Sequence, residues 1–269
     1  MSKPFLKWPG GKRWLVPLIR EMLDGRPLNR YYEPFLGGGA VFFAIQPKSA
    51  TLSDVNNELI TTYKQVKRVP ELLIEMLKNI PVTKESYLEV RASEPSDPIE
   101  VAVRFLYLNR TAFGGVYRVN QQGRFNVPYG GGQRTPKPLW KHQLLEQASY
   151  ALRRASIQHC DFDRSLASAS KGDVVYCDPT YTVMHNNNGF IRYNENNFSW
   201  EDQIRLANTC REAANRGSLV LVSNAHHAEV AALYPDAERI TVNRRSLISP
   251  VVTARVGTQE DLFVLDGHL

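Results

Sequence analysis

What most limits the fold of this chain is an alternation along it. Short apolar runs of strand length each end in a glycine turn or a carboxylate, and a segment of helical period follows. "RYYEPFLGGGAVFFAIQ" (30–46) reads as strand, glycine turn and apolar helix. "SATLSDVNNELITTYKQV" (49–66) repeats the order, with Asp54 at the end of the strand and Asn56 or Asn57 opening the helix. Further strands are expected at "IQHCDF" (157–162), "DVVYCDPTY" (173–181), "SLVLVSN" (218–224) and "EDLFVL" (260–265). A helix is expected over 197–217, between a Ser199 cap and a closing Gly217. Strands and helices in this order mean an α/β fold around a largely parallel sheet.

The middle of the chain breaks the pattern. Residues 60 to about 100 have helical period, and "EVAVRFLYLNR" (100–110) is an apolar helix. "TAFGGVYRVNQQGRFNVPYGGGQRTPKPLW" (111–140) is rich in Gly and Pro and reads as a hairpin with exposed loops. Its aromatics Phe113, Tyr117, Phe125 and Tyr129 argue against disorder. The 269 residues carry a net charge of +6, yet from Arg104 to Arg154 there are nine basic residues and one acid, Glu146. Basic residues spread among Gly, Asn, Gln and aromatics point to a polyanion, nucleic acid above all. A solvated basic face is the alternative. No run is long and apolar enough to span a membrane, and "MSKPFLKWPGGK" lacks the core of a secretion signal. Cys160, Cys177 and Cys210 form no C-x-x-C pair and are read as reduced core residues of a cytoplasmic protein.

In an open parallel sheet, ligands sit beyond the carboxyl ends of the strands. "EPFLGGGAVF" (33–42) supplies glycines there, but Phe42 stands where a dinucleotide fingerprint needs a third glycine after Gly37 and Gly39. No pyrophosphate is therefore expected. Asp54 follows the second strand, where a carboxylate accepts from ribose hydroxyls or instead caps the next helix. Glycine turn and acid together suit an adenosine-bearing cofactor without a tight phosphate clamp, which describes S-adenosylmethionine. Asp178, at the end of the fourth strand, offers a carboxylate beside the carbonyl of Pro179, a residue with no N–H. Two adjacent acceptors hold one amino group and draw its lone pair out of ring conjugation, toward an electrophilic methyl group. Tyr181 is placed to stack on the base that carries the amine. No histidine or second acid lies at ligand spacing from Asp178, so no metal is expected. His226 and His227 are read as loop residues, because methyl transfer to an amine needs no base beforehand.

The tetrad "DPTY" (178–181) resembles the D-P-P-Y signature of amino methyltransferases. "FLKWPGGK" (5–12), "EPFLGGGAVF", "LSDVN" (52–56), "LYLNR" (106–110) and "GRFNVPYG" (123–130) precede it in order. On these motifs nearly the whole chain resembles the Dam family of DNA adenine-N6 methyltransferases, the alpha group of the D12 class. The resemblance implies a Rossmann-like class I S-adenosylmethionine-dependent methyltransferase sheet (1–59 and 144–269) with an inserted helical and hairpin target-recognition domain (60–143). It implies that Trp8, Lys12, Glu33, Phe35, Gly37, Gly39 and Asp54 form the cofactor pocket, that Asp161 and Phe162 flank the cofactor's adenine, and that Asp178 borders it. Asp178, Pro179 and Tyr181 hold the target adenine, flipped from the duplex. Arg118 matches a guanine-reading arginine, Val116 a leucine that meets a thymine methyl, Pro128 a proline in the same groove and Lys7 a lysine at the outer base pair. Phe113 enters the base stack, and Asn126 and Arg134 join the DNA face. "VNRRSLISP" (242–250) resembles a late basic hairpin, so Arg244, Arg245 and Ser246 are candidates for phosphate contacts; a solvated basic strand is the alternative.

Thr180 departs from the family by replacing the second proline. The two acceptors survive, so an active enzyme is expected, but threonine does not fix φ as proline does, which leaves a lower rate open. The reading is a site-specific DNA adenine-N6 methyltransferase that acts on duplex DNA at GATC and releases S-adenosylhomocysteine. It is expected in the cytoplasm of a bacterium or phage-infected cell, alone or beside a restriction endonuclease, without metal, membrane or obligate protein partner. The alternatives are amine methylation of another DNA site or of RNA, and a DNA-binding homologue in which Thr180 has ended catalysis. A nicotinamide oxidoreductase is disfavoured by the missing third glycine and by the tetrad.

Overall fold

The computed structural model describes residues 3–120, 122–131, 139–181, 198–245 and 257–267. Seven described strands form one mixed sheet: β1 (Tyr31–Glu33), β2 (Ala50–Asp54), β3 (Ala155–His159), β4 (Val174–Cys177), β5 (Leu219–Ala225), β6 (Glu238–Arg245) and β7 (Gly257–Asp266). Their order is β3-β2-β1-β4-β5-β7-β6. β2 and β3, β1 and β4, and β4 and β5 pair in parallel, while β7 runs antiparallel to both β5 and β6. The described pairings are parallel on both sides of β4 and between β2 and β3, and an antiparallel pair completes the sheet at one edge. Helices between the strands make the chain α/β, consistent with a class I S-adenosylmethionine methyltransferase fold. They are α1 (Val16–Leu23), α2 (Ala40–Ile45), α3 (Asn57–Arg68), α4 (Pro70–Lys78), α5 (Lys84–Ala92), α6 (Pro98–Thr111), α7 (His142–Leu152), α8 (Phe162–Leu166), α9 (Trp200–Asn215) and α10 (Ala228–Ala232). None of the described helices is long and apolar enough to cross a membrane.

The chain divides into two compact units, residues 1–24 with 36–159, and 25–35 with 160–269. In the first, local chemistry sets the helix starts. Asn56 caps α3 by accepting from Leu59 N, Thr83 caps α5, and Asp97 caps α6 just before Pro98, whose missing N–H costs nothing at a first turn. Leu59, Ile60 and Tyr63 of α3 and Leu106 and Tyr107 of α6 are buried. Arg104 of α6 is buried as well, and its guanidinium donates to Glu58 of α3 and to the carbonyls of Val90 and Arg91. That satisfies a charge whose unpaired burial would be prohibitive. After α6 the chain forms the expected hairpin. Antiparallel bridges join Ala112 to Tyr129 and Val119 to Phe125, and Asn120 turns the tip by accepting from the amides of Gln122 and Arg124.

In the second unit β4 is buried along its whole length, the apolar run of a central parallel strand. Val174 and Val175 each contribute about 2 kcal/mol by leaving water. On one face of the sheet Tyr32, Val220, Val222 and Phe263 join Val175, covered by Leu206, Cys210 and Ala213 of α9. Ser199 and Asp202 close a reciprocal capping box at the start of α9, and Gly217, with φ of 91°, stands just beyond its end. Two expectations are corrected. The strand placed over 157–162 stops at His159, because Asp161 accepts from Phe162 N and opens α8 instead. Cys160 is only half-buried, whereas Cys177 and Cys210 are core residues whose sulfurs lie 3.9 Å apart as free thiols.

Candidate functional site

In the first unit the glycine turn is built against Trp8. Gly37 has φ of 44°, and a Cβ there would lie 2.7 Å from the indole nitrogen; a Cβ on Gly38 would lie 2.8 Å from Trp8 Cβ. The indole is stacked on Tyr117, at 6.1 Å between centroids. Asp54 ties the turn to the end of β2: Oδ2 accepts from Gly37 N at 3.0 Å and Oδ1 from Asn56 N at 2.9 Å. Burial pushes the Asp54 carboxyl above the usual carboxylate range, against these amides, which pull it down. Tyr63 donates to Gly37 O, and its hydroxyl would lie 3.0 Å from a Cβ on Gly39. Lys12 is buried, with Nζ donating to Gly10 O at 3.0 Å. The structure therefore brings Trp8, Gly37, Gly39 and Asp54 around one turn.

In the second unit the strand order turns back between β1 and β4, the switch point at which open α/β sheets take their ligands. Glu33 ends β1, is buried, and accepts from Tyr31 OH at 2.8 Å. Asp178 immediately follows β4 and is half-buried; Ser223 Oγ of β5 donates to its Oδ1 at 2.9 Å. With its proton given to Asp178, Ser223 accepts from Tyr176 OH, 3.0 Å away. Burial and then Asp178 push the Tyr176 phenol well up, so it stays a donor. Pro179 is buried, Thr180 exposed, and Tyr181 half-buried with its hydroxyl donating to Glu260 Oε2 at 2.8 Å. Phe35 stacks on Phe162 at 5.6 Å, and Phe198 meets both rings. Arg205 covers Phe162 at 4.3 Å and bonds the carboxylates of Asp161, Asp163 and Asp202. His226 meets Asp261 and His227 caps α10.

The residues expected to touch DNA share one face of the hairpin. Along 116–120 and 124–128 exposure alternates: Val116, Arg118, Asn126 and Pro128 face solvent, while Phe125 and Val127 are buried and Tyr117 half-buried. Arg118 Nε donates to Asn126 Oδ1 at 2.8 Å across the hairpin, which holds the guanidinium in one orientation. Phe113 is 65% exposed at the start of the hairpin. Lys7 lies beside Gly115, and Asn109 of the "LYLNR" helix fixes its backbone, accepting from Lys7 N at 2.9 Å and donating to Lys7 O at 2.7 Å. Arg134 and Ser246 lie outside the described residues; for Arg244 and Arg245 the backbone belongs to β6 and the side chains are outside the description.

Ser223, Glu260, Arg205 and Asn109 escaped the sequence reading. Ser223 and Glu260 sit on largely buried strands, whose apolar runs mark a core element but not which side chain meets which partner. The spacing of Asp202 and Arg205 on one helix was the only local hint of the Arg205 cluster.

Comparison with known proteins bears on what this geometry serves. The family model described as D12 class N6 adenine-specific DNA methyltransferase matches residues 8–248. A Type II methyltransferase of Lactococcus lactis subsp. cremoris is 39% identical over 244 residues, 87% of this chain and 85% of that protein. A DNA adenine methylase of Vibrio cholerae is 34% identical over 276 aligned residues, 100% of this chain and 98% of that protein. One from Escherichia coli is 32% identical over 255 residues, 92% of this chain and 90% of that protein.

Proposed function

The chain belongs to the D12 class of N6 adenine-specific DNA methyltransferases, and on that premise we propose that it transfers a methyl group from S-adenosylmethionine to adenine N6 in duplex GATC, with the target base turned out of the helix. The observation that carries this reading is Asp178, held through one oxygen by Ser223 just past β4 and followed at once by Pro179 and Tyr181. Its carboxylate and the Pro179 carbonyl are two acceptors for the two hydrogens of one exocyclic amine, and Tyr181 is assigned to the face of the base. So held by Asp178 and Pro179, the amine would present its lone pair in line with the sulfonium-bound methyl group that S-adenosylmethionine would supply, and would shed its surplus proton afterwards.

The donor set suits the cofactor. Each of β1 to β4 ends at a carboxylate or is followed by one within two residues: Glu33, Asp54, Asp161 and Asp178. Such groups accept from the hydroxyls, ammonium and exocyclic amine that S-adenosylmethionine presents. Trp8, Lys12, Gly37, Gly39, Phe35 and Phe162 are assigned to the same ligand. When bound, S-adenosylmethionine supplies a methyl group already activated by its sulfonium. Residues 60–143 are assigned to target recognition, with Arg118 reading guanine, Val116 and Pro128 lining the groove, Lys7 at the outer pair and Phe113 entering the stack. Arg244 and Arg245 are assigned to phosphates.

Incubation with tritiated S-adenosylmethionine and paired duplexes differing only in GATC against GTAC tests the reading. Label on the first alone is expected. Label on both keeps the chemistry and overturns the specificity, and label on neither overturns the activity. Asp178→Ala is expected to abolish transfer and to leave cofactor binding largely intact; near-normal turnover would sink the mechanism.

A further inference from the structure

The exposed Thr180 leaves the tetrad without the rigidity of a second proline, and the structure shows what stands in its place. Tyr181, the next residue, donates its hydroxyl to Glu260 Oε2 at 2.8 Å. Glu260 is 7% exposed and lies on β7, directly opposite Ala225 of β5. Side chains alternate along a strand and directly paired residues share a face, so Ser223, Ala225 and Glu260 point the same way. Tyr176 and Asp178 likewise alternate to one side, and Ser223 bonds both. One face of the β5–β7 pair therefore grips both functional side chains of the tetrad: a hydroxyl holds the carboxylate of Asp178, and a carboxylate holds the hydroxyl of Tyr181. Burial, then Asp178 and Glu260, push the Tyr181 phenol well above its usual value, so it remains the donor.

We infer that Glu260 is a positioning residue for methyl transfer, holding the Tyr181 ring through its hydroxyl and supplying the fixity that proline at position 180 would otherwise give. The inference rests on the reading that the tetrad holds the target adenine. Magnitudes support it. A proline at a compatible position narrows the unbound loop by about two- to fivefold, whereas a hydrogen bond to a charged carboxylate shifts an equilibrium by about tenfold or more. The bond is large enough to offset the missing ring.

The test is a set of variants in the full chain: Glu260→Ala, Glu260→Gln, Tyr181→Phe, Tyr181→Phe with Glu260→Ala, and Thr180→Pro alone and with Glu260→Ala. Each is followed by kcat, KM for duplex, Kd for S-adenosylmethionine and thermal midpoint. Glu260→Ala and Tyr181→Phe are each expected to lower kcat about tenfold with cofactor Kd unchanged, and the double variant to be no worse than either. Glu260→Gln, which keeps an acceptor, should fall between. Thr180→Pro should recover about two- to fivefold in the Glu260→Ala background and less in the wild type. Tyr181→Phe replaces a buried phenol by a ring of nearly the same shape, so it keeps the test open should Glu260→Ala fail to fold. Wild-type kcat in Tyr181→Phe, or purely additive losses in the double variant, overturns the role of Glu260. Asp178→Ala that still turns over would instead overturn the reading of the tetrad, and the two failures are distinct.

Discussion

Replacing Gly37 by alanine tests how the glycine turn is built. Gly37 has φ of 44°, in the left-handed region, where an alanine costs about 1–2 kcal/mol. The backbone has little freedom to escape, because Gly37 N donates to Asp54 and Gly37 O accepts from Tyr63. The new methyl would also sit 2.7 Å from Trp8 Nε1 and 3.0 Å from its Cδ1. The indole cannot simply slide away, since Tyr117 stacks on it and Phe105 stacks on Tyr117 at 5.3 Å. Overpacking of this kind costs about 1–3 kcal/mol. The sum is about 2–5 kcal/mol, a large part of a domain's stability. Urea unfolding should show a lower midpoint at unchanged m. Trp8→Ala separates the contributions: in that background the contact vanishes and the strain stays, so Gly37→Ala should cost only about 1–2 kcal/mol. Equal penalties in both backgrounds would refute the contact between turn and indole, and a penalty under about 0.5 kcal/mol in either would refute the strain.

Two further outcomes are expected. Asn126→Ala removes the acceptor that orients Arg118, so the preference for guanine over 7-deazaguanine in kcat/KM should fall by about three- to tenfold with stability unchanged; an undiminished preference would show that Asn126 does not aim the guanidinium. Burial alone would raise the Asp261 carboxyl, but bonds from His226, Arg239 and Thr241 outweigh it and hold it below the usual range. A depressed folded value means its contribution is complete above about pH 4 and disappears as pH falls further. Asp261→Asn should therefore lower the unfolding free energy from urea titration by about 3 kcal/mol at pH 7 and progressively less below pH 4; a constant difference would contradict this.

The parts of the fold that the sequence displays are those whose causes lie close together in the chain. Ser199 and Asp202 form the capping box of α9 within four residues, and Asn56 caps α3 three residues before its partner. The hairpin could be anticipated because Asn120 and Gly123 turn it locally. The strand expected through Phe162 failed because the residue after a strand and the cap of a helix look alike: Asp161 is both, two residues past β3 and bonded to Phe162 N. β6 was seen only in its last residues, because "ERITVNRR" is polar enough for an edge and its partner β7 begins twelve residues further on.

The site divides along the same line. Asp178, Pro179 and Tyr181 form a local word, while their supports, Ser223 and Glu260, stand 45 and 79 residues further on and owe their places to strand register. Asp54 shows why a local reading also leaves choices open. Its sequence position suits either a cofactor ligand or a helix cap. In the structure Oδ2 accepts from Gly37 N and Oδ1 from Asn56 N, while the helix itself is capped by Asn56. A carboxylate oxygen accepts more than one hydrogen bond, so the amides do not exhaust it. They hold the carboxylate still, and in the proposed reading its geometry would be set before a ribose hydroxyl arrived, a preorganisation that removes an ordering cost from binding. The two amide bonds that argue for a structural Asp54 thus leave it free lone-pair capacity and a fixed orientation, which is what a ligand-binding carboxylate requires.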